Sequence, residues 1–190
     1  MKTITIVGAG ALGSHVALLL RNVAILHVID FDRIEQKNTS SQFHSMSNVG
    51  KLKASALQQT LGFLFGVKIR ANTNKLTKDN DQQLLGGSDL VIDCLDNGEA
   101  RRLVQAFARN TSTPCLHGAL AADGGFGRVV WDEKFEIDDS GAGGATCEDG
   151  QHLPFIAVTS SYIAYTAQQF LLSGKKVSMN VLPGGGISVF

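Results

Sequence analysis

The stretch Thr3-Ile4-Thr5-Ile6-Val7-Gly8-Ala9-Gly10-Ala11-Leu12-Gly13 decides the fold. An apolar, β-branched run breaks into glycines, and an apolar helical pattern from Ala11 to about Arg21 follows. A strand that turns sharply into a helix while its backbone approaches a phosphate needs residues without side chains. The helix then aims its unpaired N–H groups and the positive end of its dipole at an anion. Asp30 closes the second apolar run, Ile25-Leu26-His27-Val28-Ile29, near the spacing of about 20 residues at which an acidic side chain reaches a ribose hydroxyl. Strand, glycines, helix, strand and acid in this order predict a mononucleotide or dinucleotide pocket. A tight turn in an α/β fold that binds nothing is the alternative.

Working outward, the 190 residues fit one domain with a real core; a second domain becomes expected only near ~250 residues. Lys and Arg number 17, as do Asp and Glu, and the signs are mixed along the chain. Such a balance offers no basic stripe, so nucleic acid is not an expected partner. The opening apolar run is too short for a secretory segment and meets glycines in place of a cleavage site. With three cysteines, this predicts a reducing, cytoplasmic setting without disulfides. Gln151 to Gly174 carries no Asp, Glu, Lys or Arg, yet Thr159, Ser160, Ser161, Thr166, Gln168 and Gln169 would all enter hydrocarbon if it spanned a membrane. The segment reads as a helix buried in the core or in a subunit interface.

Apolar runs suited to buried parallel strands alternate with helical patterns, which predicts an α/β, Rossmann-like doubly wound sheet, mainly parallel, with helices on both faces. Strands are expected near 3–8, 24–30, 67–72, 89–94, 114–119 and 125–131, and helices near 11–21, 51–65, 80–86, 98–110 and 153–173. Lys176 to Leu182 and Ile187 to Phe190 predict a C-terminal antiparallel hairpin around Pro183-Gly184-Gly185-Gly186. The polar stretch 31–49 is long for a connection, and such loops commonly carry function. A second, glycine-rich loop covers 138–150. The chain thus reads as a single domain over 1–190, with its nucleotide part at about 1–131 and the loop, long helix and hairpin at about 132–190.

Three further stretches bear on function: Asp30-Phe31-Asp32-Arg33-Ile34-Glu35-Gln36-Lys37-Asn38 with Gln42-Phe43, Val49-Gly50-Lys51-Leu52-Lys53, and Asp93-Cys94-Leu95-Asp96-Asn97 with Arg101 one helical turn onward. Their order and spacing resemble the ThiF/MoeB/HesA family, bacterial relatives of ubiquitin-activating enzymes, with the pattern D-x-D-x-V/I-x-x-x-N, R-Q, V-G-x-x-K and D-N-x-x-x-R. The resemblance covers residues 3 to 131 and weakens beyond. It implies adenylation, with ATP and magnesium, of the C-terminal carboxylate of a small ubiquitin-like or sulfur-carrier protein ending in Gly-Gly. It also implies a homodimer or heterodimer. By motif position, Gly10 and Gly13 would approach phosphate, Asp30 would hold the ribose, and Asn38 and Gln42 would line the nucleotide. Lys53 would steady the triphosphate and Asp96 would bind magnesium. Gly8, Ala11, Asp32, Leu95 and Asn97 complete the nucleotide-binding candidates.

The chemistry asks for these residue types on its own account. A carboxylate attacking a phosphate is anion meeting anion, so cations and a metal must neutralise charge as pyrophosphate leaves. Magnesium takes one or two carboxylates plus phosphate oxygens and water. Each residue also has a plainer reading. Lys53 suits the solvated face of a helix, Asp96 suits an N-cap, and Asp32 and Asn38 suit turns. Arg101 suits a pair with Glu99 or the sheet edge. Asp93, inside an apolar strand, needs a partner if buried.

Two departures from the family pattern stand out. Ser41 occupies the place of the arginine in R-Q, and a hydroxyl replaces neither its charge nor its planar fork. The chain begins at its first strand, so the preceding helices from which dimeric relatives send an arginine into the partner's site are expected to be missing. Arg33, Lys37 or Lys51, or a partner subunit, would have to compensate. No C-x-x-C pairs occur, so no zinc site is expected. Cys94 and Cys115 read as core, which leaves Cys147, with His152 nearby, as the candidate thiol for thioester or persulfide transfer. Other readings remain open: a catalytically weak nucleotide-binding subunit of a heterodimeric activating enzyme, an NAD-dependent oxidoreductase resting on the first two motifs alone, or a tRNA-modifying dehydratase of the same family.

Overall fold

The structure is a computed structural model that describes residues 1–121, 124–137 and 150–190. Five strands run parallel, β1 (Thr3–Val7), β2 (Ile25–Ile29), β3 (Arg70–Asn72), β4 (Leu90–Asp93) and β5 (Cys115–Leu120). Three more continue the sheet antiparallel, β6 (Gly127–Trp131), β7 (Met179–Val181) and β8 (Ile187–Val189). The order is β3-β2-β1-β4-β5-β6-β7-β8. The chain therefore winds outward from β1 to β3 and then returns to the other side of β1. At that reversal the loops leaving β1 and β4 diverge, which opens a crevice at the carboxyl ends of the strands. The α/β class, the mainly parallel sheet and the antiparallel extension all stand as the sequence predicts.

Alternation along the strands divides the core into two layers. Ile4, Ile6, Leu90 and Ile92 pack under α1 (Ala11–Leu20), α2 (Lys53–Phe65) and α5 (Leu153–Ser173). Val7, Ile29 and Val91 face the opposite side, under α3 (Asp81–Leu85) and α4 (Gly98–Thr111). Period-two alternation with both faces apolar is what a covered parallel sheet requires. The buried Thr5 hydroxyl is matched to Ser88 Oγ at 2.7 Å, so its polarity is not stranded. Pro154 sits in the first turn of α5, where its missing N–H costs nothing. That helix lies close on the sheet because a Cβ at Gly118 would meet Ile163 at 2.5 Å and one at Gly127 would meet Thr159 at 2.6 Å. Among the described residues no helix is long and apolar enough to cross a membrane.

Some boundaries differ from expectation, each for a local reason. The strand expected over 67–72 is confined to Arg70–Asn72, because β3 is an edge strand with β2 as its one neighbour. The helix expected from 51 starts at Lys53, since Leu52 is extended and bridges Arg33. The stretch 31–49 is not featureless: it holds two 3-10 turns, Gln36–Ser40 and Met46–Asn48, pinned by the buried Ile34. The glycine-rich loop, Cys147 included, lies outside the described residues except for Gly150.

Candidate functional site

The glycine turn is held from three sides. Gly8 adopts φ +95°, and a Cβ there would stand 2.9 Å from the Cys94 carbonyl, so both conformation and proximity to β4 require glycine. Gly13, expected near phosphate, does something else. A Cβ on it would overlap Gly8 O at 1.8 Å, and Gly13 does not line the cleft. Its role is to let α1 close onto the turn. Gly10 is the glycine that faces open space, its Cβ position meeting nothing nearer than Gln42 Nε2 at 4.0 Å. As the N-cap of α1 it offers no capping side chain, so the first-turn N–H groups have no partner from that side.

Asp30 at the end of β2 locks the turn in place. Its Oδ2 accepts from Ala9 N–H at 2.6 Å and its Oδ1 from Asp32 N–H at 2.8 Å. Burial pushes its carboxyl above the usual range, and the two N–H donors and the Lys53 charge oppose that rise. Lys53, the first residue of α2, donates its own N–H to Asp32 O at 2.8 Å and places Nζ 3.5 Å from Asp32 Oδ2. It is buried at the cleft wall, not solvated on a helix face. Asn38 is buried too, its Oδ1 accepting from Glu35 N–H at 2.9 Å in a capping box. Gln42 brings a buried Oε1 with no partner to the same wall.

His44 is a residue that the sequence reading passed over. Its buried Nε2 lies 2.9 Å from Ala9 O, and since a carbonyl accepts, the ring donates there. Burial lowers its pKa, and Nδ1 is left bare. Ser14 Oγ in α1 accepts from Phe43 N–H at 2.9 Å. The 31–49 stretch thus grips the glycine turn from outside.

On the β4 side the structure builds a buried ionic chain. Asp93 Oδ2 accepts from Arg101 at 2.9 Å and from His117 Nδ1 at 2.7 Å, while Oδ1 accepts from Leu95 N–H at 2.9 Å. His117 Nε2 reaches Asp132 Oδ1 at 3.1 Å, and Asp132 also takes Arg109 Nε at 2.8 Å. With both ring nitrogens donating to carboxylates, His117 is an imidazolium. The bonds to Asp132 and Asp93 outweigh its burial and raise its pKa to about 11. Bonds from His117 and Arg109 hold Asp132 down to about 2 against its own desolvation. Arg101 therefore pairs with Asp93 inside the fold, not with Glu99, and also donates to the Leu95 and Gly118 carbonyls. Phe135 stacks flat on His117 at 4.0 Å and packs under Arg101.

The consequence lies one residue onward. Leu95 is fixed at its N–H by Asp93 and at its carbonyl by Arg101, so Asp96 is presented to the cleft by a rigid peptide. Asp96 is exposed and is not the cap of α4; Asn97 is, accepting from Ala100 N–H at 2.8 Å. Register would have revealed the hidden partner, because His117 lies directly opposite Asp93 across β4 and β5.

These segments enclose a cleft of about 1050 Å3 lined by Gly8, Gly10, Ala11, Asp30, Asp32, Asn38, Gln42, Lys53, Leu95, Asp96 and Asn97. Every nucleotide-binding candidate other than Gly13 meets there. Ser41 does not; it is 1 % exposed and turned into the protein. Of the cations considered as substitutes, Lys37 lines the cleft, whereas Arg33 donates to Gly50 O and Lys51 to Asn48. Cys94, just past β4, borders the cleft and Cys115 is buried; burial pushes both thiols up, so neither is a ready nucleophile. The open face of Gly10, the orphaned Gln42 Oε1 and the adjacent Lys53 fit a phosphorylated nucleoside. Among the described residues no three of His, Cys, Asp or Glu converge on a metal position. A magnesium at Asp96 would therefore take its other ligands from phosphate and water.

A glycine turn, an acid closing β2 and a cleft at the switch point are the features of a nucleotide-binding α/β fold. The ThiF family model matches residues 1–179, and the chain belongs to that family. It is 33% identical over 121 residues to the SAMP-activating enzyme E1 of Haloferax volcanii, across 62% of this chain and 45% of that protein. It is 34% identical over 122 residues to the sulfur carrier protein adenylyltransferase of Thermus thermophilus, with the same 62% and 45% coverage. Among solved structures, E. coli MccB in a complex with succinimide superposes with a TM-score of 0.82 at 15% identity, over 100% of this chain and 62% of that one. The chain thus spans less than half the length of these two curated relatives. MccB has also been solved with ATP.

Proposed function

We propose that this chain uses ATP and magnesium to adenylate the C-terminal carboxylate of a small ubiquitin-like or sulfur-carrier protein ending in Gly-Gly. The observation that carries the reading is the convergence of Asp30, Gln42, Lys53 and Asp96, from four separate segments, on one cleft of a ThiF-family sheet. In the reaction a carboxylate oxygen attacks the α-phosphorus, the bond to the bridging oxygen breaks, and pyrophosphate leaves with its electron pair. The nucleophile is already ionised, so no base is needed and positive charge is the requirement. Asp30, with lone pairs remaining beyond its two N–H bonds, would accept from a ribose hydroxyl. The α1 N-terminus, Asn38, Gln42, Leu95 and Asn97 would line the nucleotide, and Lys53 would neutralise phosphate. Magnesium, held by Asp96, would supply further charge to the leaving pyrophosphate. Cys147 remains the candidate for a following thioester or persulfide step, and we read the protein as a cytoplasmic dimer.

The test is exchange of labelled pyrophosphate into ATP in the presence of magnesium and a diglycine-ended carrier protein. Exchange well above that of Asp96→Ala supports the reading; exchange no higher than that background with every carrier tried removes it. A second reading, a catalytically weak subunit of a heterodimeric activator, is favoured by one observation: Ser41 is buried and off the cleft. Adding a second activating-enzyme subunit separates the two: exchange by this chain alone removes the weak-subunit reading, whereas exchange that appears only with the added subunit supports it.

A further inference from the structure

The β6 side of the cleft carries a guanidinium that no carboxylate among the described residues pairs with. Arg128 is the second residue of β6, and because that strand runs antiparallel to β5, its beginning stands at the ligand end of the sheet. Gly127 and Val129 on either side of it face α5, so Arg128 projects from the opposite face, onto the cleft wall. Directly across stand Ala119 of β5, too small to cover it, and Asn180 of β7. The guanidinium packs over Phe126 at 5.6 Å. Its Nε and the Asn180 Oδ1 are both buried without a hydrogen-bond partner, a donor lacking an acceptor beside an acceptor lacking a donor.

The other cations of the cleft are differently placed. Arg101 is bound to Asp93, Lys53 stands beside Asp32, and Lys37 stands beside Glu35. Lys75 and Lys78 follow β3 at the far edge. From β2, which Asp30 closes, to β6 is four strand spacings, roughly 19 Å. A nucleotide held by its ribose at Asp30 puts its phosphates over the β1–β4 crevice, and an attacking acid must approach from the β5–β6 side.

We propose that Arg128 forms the entry subsite for the free C-terminus of an extended peptide chain, its guanidinium donating to the carboxylate. A phosphate offers the same anion, but the phosphates of a nucleotide held at Asp30 lie over the β1–β4 crevice, which leaves Arg128 on the β6 side to the incoming acid. The inference rests on the adenylation reading and supplies, from this chain's own sheet, a fixed positive charge of the kind that Ser41 lacks.

The test uses a fluorescein-labelled hexapeptide ending in Gly-Gly, as free acid and as C-terminal amide, in polarisation titrations with the full chain. Wild type should bind the acid roughly tenfold tighter than the amide. Arg128→Gln should bring that ratio near one and leave ATP binding, read by thermal shift, unchanged. Arg128→Lys answers the same question if Arg128→Gln does not fold, and should cut the ratio about threefold through loss of the planar fork. An acid preference that survives these changes, its absence from wild type, or no binding of either peptide overturns the proposal. A parallel loss of ATP affinity assigns Arg128 to phosphate and overturns it as well. Pyrophosphate exchange separates the two claims. Exchange with an unchanged KM for carrier in Arg128→Gln removes the subsite alone, whereas an Arg128-dependent acid preference without exchange removes the adenylation reading alone.

Discussion

His117 donates through Nδ1 to Asp93 Oδ2 at 2.7 Å, and the two face each other across β4 and β5 with neither side chain exposed. Through Asp132 and Arg109 the same imidazolium ties the α4 and β6 ends to the strand that presents Asp96. A buried ion chain of this kind gains little over an apolar core, but breaking it strands a charge.

His117→Ala should therefore cost about 3–5 kcal/mol, because Asp93 loses a donor while buried and Asp132 loses one beside it. The folded pKa of about 11 lies above the ordinary histidine value of 6.5. The stability it confers is thus fully present below pH 6.5 and is lost as pH rises toward 11. Urea denaturation of wild type and variant at several values between pH 6 and 10 checks this. A stability difference that does not shrink with rising pH would contradict it.

His44 predicts the opposite slope. Burial lowers its folded pKa below 6.5, so the unfolded chain takes up the proton first. Its contribution is full above pH 6.5 and is lost as pH falls below that value. Nitrogen NMR should show a neutral ring protonated at Nε2, bonded to Ala9 O, at pH 6.5. A ring half-charged at that pH would refute the assignment.

Gly13→Ala sets a Cβ 1.8 Å from Gly8 O, where both neighbours are backbone. The turn or α1 must shift, at a cost of about 3 kcal/mol or more, which in a chain of this size lowers Tm by roughly 6 °C or more. Thermal melting within 2 °C of wild type would show that α1 is not seated as described.

Asp30 and Asp96 should fail differently. Asp30→Ala strands the Ala9 and Asp32 N–H groups, so both folding stability and ATP binding should fall, the former by about 2–3 kcal/mol. Asp96 is exposed and makes no hydrogen bond among the described residues, so Asp96→Ala should melt like wild type while pyrophosphate exchange drops at least about 100-fold. A destabilised Asp96→Ala would identify a structural role instead.

Arg101 shows where sequence reasoning lost its grip. Glu99 and the sheet edge are both open to it in the sequence, and the arginine turns inward to Asp93 at the end of β4 and to the Leu95 carbonyl. Gly13 misled in the same way, since glycine spacing in a motif does not say which Cβ would meet ligand and which would meet backbone. Lys53 and Gln42, by contrast, were located by motif order alone, and the structure brings both to the cleft.

The sequence by itself determined the alternation of strands and helices, the glycine turn, the Asp30 end of β2 and the antiparallel tail, because periodicity and turn chemistry are local and act over a few residues. Only the tertiary structure decided that Asp93 and His117 are partners, that Ser41 is buried off the cleft, and that Arg128 stands on its wall. Those facts depend on strand register, on which face a side chain takes and on what burial leaves unpaired, and each of them is fixed by residues far away in the chain.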